Sequence, residues 1–79
     1  MTETADYRDK DVQSGDRFRH SRHDHVTETA TVTSIRLDAF GIPHVRFVIR
    51  FELPSGRIAE TERSLALTSF IGRYREQLD

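Results

Sequence analysis

The sequence predicts a mainly β fold: a small barrel of four to five antiparallel strands with a short C-terminal helix. Three observations lead there. Val45, Phe47, Ile49, Phe51 and Leu53 occupy every other position, with His44, Arg46, Val48, Arg50 and Glu52 between them, which is the period of a strand buried on one face. Asp38-Ala39-Phe40-Gly41 and Leu53-Pro54-Ser55-Gly56 each suit a type I turn followed by a left-handed glycine, the hairpin connection of three residues. Only after Leu67 does the apolar period change from that of a strand to that of a helix.

Length and charge set the frame. With 79 residues and no cysteine, one small domain must be stabilised by its core alone, without disulfides or thiolate metal sites. No apolar run of signal-peptide or membrane length opens the chain, so the expected setting is cytoplasmic, with no membrane partner. The net charge of −1 divides unevenly: residues 1–16 hold five acids against Arg8 and Lys10, whereas ten arginines face eight acids from Arg17 onward. An acidic arm therefore precedes a mildly basic domain. Eleven of the twelve cations are arginine, the residue suited to planar recognition of carboxylate or phosphate, although a GC-rich coding sequence yields the same bias.

Residues 1–13 offer only Tyr7 and Val12 as sizeable apolar groups, too little to offset backbone entropy, and read as a disordered arm. Residues 14–79 read as the single domain. In Gly15-Asp16-Arg17-Phe18-Arg19-His20, Phe18 turns inward between two arginines in a first strand. Ser21 to His25 is polar and unpatterned, hence a loop.

The second strand, Val26 to Leu37, changes parity midway. Val26, Ala30 and Val32 share one face while Ile35 and Leu37 have the opposite parity, so one extra residue near Thr33 or Ser34 brings both sets inward. That is a β-bulge. Pairing Asp38 with Ile42 then sets Ile35 opposite Val45, Val32 opposite Phe47, Ala30 opposite Ile49 and Glu28 opposite Phe51. Glu28 becomes an awkward inward carboxylate. The fourth strand, Arg57 to Leu67, has Ile58 and Leu65 in conflicting parity, which predicts a second irregularity. A helix over 69–77 follows, capped by Thr68 or Ser69, with Phe70, Ile71, Tyr74 and Leu78 on one stripe. Gly72 weakens it.

The run Gly15 to His20, then Ala30-Thr31-Val32 with Ile35 three residues on, then a glycine turn into a long alternating strand, resembles the small SH3-like or Tudor-like barrels appended to bacterial DNA helicases and transcription factors. The resemblance covers about Gly15 to Leu67. It implies binding of protein segments or nucleic acid. Gly41 to Phe47 and the terminal helix fall outside the pattern, and no binding residue is carried over.

Three constellations bear on function. His20, His23 and His25, with His44 as a fourth nitrogen, are the candidate metal ligands, though without cysteine or regular spacing they read better as solvated loop residues. Ser21, His23 and Asp24 are the types of a hydrolase triad, and Glu60 and Glu62 could pair carboxylates, but nearness in sequence is not triad geometry and a barrel this small lacks a deep pocket. No enzyme and no cofactor are expected. The outer face of the hairpin carries His44, Arg46 and Arg50, with Thr27, Thr29 and Thr31 beside them and Arg17 and Arg19 on the first strand. Phe40 stands exposed at a hairpin tip. The expected function is a protein–protein interaction module, monomeric or a weak homodimer, with nucleic-acid binding through the Arg/His face as the alternative.

Overall fold

The computed structural model describes residues 12–22 and 24–78. Its elements are β1 (Arg17–Ser21), β2 (Thr27–Leu37), β3 (Pro43–Glu52), β4 (Ile58–Ala66), the helix α1 (Leu67–Arg73) and β5 (Glu76–Leu78). The five strands form one antiparallel sheet in the order β4-β3-β2-β1-β5. β4 and β5 end the sheet and do not pair with each other among the described residues. The expected mainly β fold with a short helix is present as a single antiparallel sheet, which does not close into a barrel among the described residues.

Hydrophobic patterning and turn residues explain the registers. Ile35 faces Val45, Val32 faces Phe47, Ala30 faces Ile49 and Glu28 faces Phe51, with the shift falling between Val32 and Ser34. The extra residue, Thr33, is anchored on both sides. Its hydroxyl donates to the Arg46 carbonyl at 3.1 Å and its own carbonyl accepts from Ser14 Oγ at 2.9 Å. Both hairpins have the predicted form, with Gly41 at φ 80° and Gly56 at φ 91° and closing bonds from Gly41 N to Asp38 O (3.0 Å) and Gly56 N to Leu53 O (2.8 Å). A glycine there avoids the cost of a left-handed side-chain-bearing residue.

The core lies on one face. Phe18, Ala30, Val32, Val45, Phe47 and Ile49 from the sheet meet Leu67, Phe70 and Tyr74 from α1 and its exit. Phe70 sits at the centre, its ring 5.3 Å from Phe18, 4.9 Å from Phe47 and 5.0 Å from Tyr74, in the edge and tilted geometries that aromatic quadrupoles favour.

Four expectations are corrected. Val12 is buried in the core and Gln13 N donates to Asp16 Oδ2, so the domain begins no later than Val12; residues 1–11, the bulk of the arm, lie outside the described residues. β4 pairs with β3 without a shift from Ile58 to Ala66. Ile58 therefore points to the outer face, half exposed, and no second irregularity is needed. The helix is Leu67–Arg73 rather than 69–77, and its N-cap is Ala66 with no side-chain bond. Leu78, placed on the helical stripe by its spacing, instead pairs with Arg17 in β5. The free edge of β1 offers Glu76–Leu78 a full set of backbone partners, and that wins over extending a helix already weakened by Gly72.

Candidate functional site

The inward carboxylate of Glu28 organises the most developed constellation in the molecule. Register places it beside Phe51 on β3 and His20 on β1, and only 1% of the residue is exposed. A buried carboxylate needs donors. Tyr74 Oη donates to Oε1 at 2.9 Å, Arg73 Nη2 to Oε2 at 3.0 Å, and Arg22 Nη1 reaches Oε2 at 3.4 Å. Arg73 Nε also reaches Tyr74 Oη at 3.4 Å, with its guanidinium carbon 5.6 Å from the ring centre. Burial, foremost, holds the Tyr74 hydroxyl pKa above its ordinary value, while the Arg73 guanidinium pulls it the other way. The Arg22 guanidinium is held on its far side by Asp24 at 2.9 Å.

Beside this cluster the sheet and α1 leave a cavity of ≈ 340 Å³. The half-buried Phe51 and Leu65 contribute apolar wall over the buried Phe47, and Arg22, Arg63 and Arg73 line it together with the single acid Glu28. Arg63 comes from β4, opposite Phe47 on β3, on the core side of an exposed strand. It makes no ion pair among the described residues.

The predicted Arg/His face is brought together. Arg17 and Arg19 on β1, Thr27, Thr29 and Thr31 on β2, and His44, Arg46 and Arg50 on β3 all lie on the side of the sheet away from the core. Acids interleave with them. Arg19 is bound by Glu76 at 2.7 Å, Arg50 approaches Glu52 at 3.7 Å, and register sets Glu60 and Glu62 of β4 beside Arg50 and Val48. The Arg19 bond, first, and its charge hold the Glu76 carboxyl below its ordinary pKa. The face is of mixed sign.

His44 is engaged at the β2–β3 hairpin, where its Nε2 lies 2.9 Å from Asp38 Oδ2. Asp38 Oδ1 accepts from Phe40 N at 2.8 Å and Ile42 N at 3.0 Å, and these backbone bonds, Ile42's above all, hold the Asp38 carboxyl below its ordinary pKa. Phe40 is 88% exposed at the tip, flanked by exposed Leu37 and Ile42. The other histidines are scattered. His20 stands edge-on to Tyr74 at 6.1 Å, His25 lies in an exposed loop at φ 66°, and His23 is outside the described residues. Among the described residues no group of three His, Cys, Asp or Glu is placed to hold a metal ion. Of the Ser21, His23, Asp24 set, His23 lies outside the described residues, and Asp24 is committed to Arg22 and to Val26 N–H at 3.2 Å.

Sequence reasoning singled out the outer arginines and missed Arg22, Arg63, Arg73 and Tyr74. The signal was the inward Glu28, which demanded donors that periodicity could not name. No helix among the described residues is long and apolar enough to cross a membrane. No family model, curated protein or solved structure matches the chain.

Proposed function

We propose that this chain is a small SH3-like β module that binds an extended segment of a protein partner by adding it as a strand to the open edge of β4. One observation carries the reading: β4 runs for nine residues, is bonded only to β3 among the described residues, and is exposed over most of its length. Such an edge offers a row of main-chain donors and acceptors, and the cavity beside it offers a pocket for a side chain. The SH3-like reading is supported by the β2-β3-β4 meander, the bulge that bends β2, and the return of β5 to β1 after a short helix. Nucleic-acid binding is the second reading, favoured by the gathering of Arg17, Arg19, Arg46 and Arg50 on one face. Glu52, Glu60, Glu62 and Glu76 on that same face weigh against it.

The test is a ¹⁵N NMR titration of the full chain with ten-residue peptides selected from a random library. Backbone amides of Ile58 to Ala66 should shift and gain exchange protection, and N-methylation of alternate peptide amides should abolish binding. Shifts confined to the outer face, or binding that survives N-methylation, would reject strand addition.

A further inference from the structure

We propose that the cavity between β3, β4 and α1 receives the C-terminal residue of a partner protein, its free carboxylate held by Arg63 and Arg73 and its apolar side chain by the half-buried Phe51 and Leu65. This deepens the strand-addition reading and rests on it.

Charge defines the ligand's sign. Of the four ionic side chains lining the cavity three are arginines, and Glu28 is already satisfied by Tyr74, Arg73 and Arg22. The cluster around Glu28 thus braces Arg73 and Arg22 without exhausting them. Arg73 uses Nη2 and Nε in these bonds, leaves Nη1 outside them, and its side chain is 46% exposed. Arg63 lines the cavity and has no ion-pair partner among the described residues, and a guanidinium fork matches a carboxylate with two parallel bonds.

Size and geometry define the rest. A cavity of ≈ 340 Å³ lies at the small end of ligand sites, enough for one residue and not for a long chain. Adjacent side chains of an extended segment point to opposite faces, so an internal acid and the apolar residue next to it cannot both enter. Residues two positions apart share a face but stand roughly 7 Å from each other, too far for an acid and an apolar side chain both to enter a cavity sized for one residue. A C-terminal residue carries carboxylate and side chain on one Cα and so presents both to the apolar wall and the arginines from a strand lying along β4.

The experiment compares two arrays of the same ten-residue peptides, probed with the full chain: one with free C-terminal carboxylates, the other with C-terminal amides. Binding should be confined to free-acid peptides ending in Phe, Leu, Ile or Val. Arg63→Gln should weaken it by about tenfold or more, as expected for a lost charge-assisted pair, while Arg46→Gln on the outer face should leave it unchanged. Circular dichroism of R63Q, whose side chain is exposed, checks that the variant folds. Equal binding of acid and amide peptides, with N-methylation still abolishing both, would overturn the carboxylate site and leave strand addition standing. Absence of binding to either array would overturn both, as would acid-dependent binding unaffected by R63Q overturn the site alone.

Discussion

At the scale of single residues, the molecule is organised by two carboxylates with opposite surroundings. Glu28 is buried and satisfied by side chains that arrive from 45 and 46 residues away. Tyr74→Phe removes the only donor to Oε1 among the described residues while keeping the ring in the aromatic cluster. It should cost about 1–3 kcal/mol, the usual penalty for an orphaned buried acceptor. Urea denaturation measures this; an unchanged midpoint would show that the arginines suffice. Asp38 is exposed and acts on backbone instead, bonding Phe40 N and Ile42 N across the turn. Its folded pKa lies below the ordinary value, so its contribution is complete above an unfolded pKa of about 3.9 and is lost as pH falls through the lower folded value. The Phe40 and Ile42 amide signals should therefore move together below about pH 4, and Asp38→Asn should remove that titration. Amides that stay still down to pH 2 would place the turn's order elsewhere.

At the scale of elements, what was legible in the sequence is what is local. The alternation of β3, the parity change in β2 and the two glycine turns together determine the registers and the bulge, because a slip of one residue would turn Phe47 and Ile49 out to solvent. What was not legible depends on distant partners. Glu28 looked misplaced until Tyr74 and Arg73 reached it, and the last residues looked helical because the free edge of β1, which recruits them into β5, has no local signature. The conflicting parity of Ile58 and Leu65 needs no irregularity, since a strand at a sheet edge tolerates an outward isoleucine. Glycine substitutions separate these effects. Alanine at Gly41 or Gly56 meets no neighbouring atom, so its cost of about 1–2 kcal/mol comes from the left-handed backbone alone. At Gly72 alanine also meets open space but in helical backbone, and should stabilise by about 0.5–1 kcal/mol. Thermal melts of the three variants check the pair of signs; stabilisation by alanine at Gly41 or Gly56 would contradict the hairpins as described.

At the scale of the whole molecule, charge separates the two proposed binding surfaces. Residues 1–11 carry Glu3, Asp6, Asp9 and Asp11 against Arg8 and Lys10, and four acids tethered to the domain would compete with any anionic partner. The cut that removes them must stop before Val12, because that side chain belongs to the core. The resulting chain of residues 12–79 changes net charge from −1 to +1, which is the most favourable form this protein has for binding a polyanion. Even so, Arg19 and Arg50 are matched by Glu76 and Glu52 on the outer face. A duplex or single strand laid there would meet Glu76 beside Arg19 and Glu52 and Glu60 beside Arg50. Titrating residues 12–79 with a twelve-nucleotide single strand at 50 and 200 mM salt should then give only weak binding, with a log–log salt slope of magnitude about 0.7 or less, the signature of at most one phosphate contact. A slope of about 3 or more, lost on replacing Arg46 and Arg50 with Ala, would overturn the proposed β4-edge site in favour of the outer face.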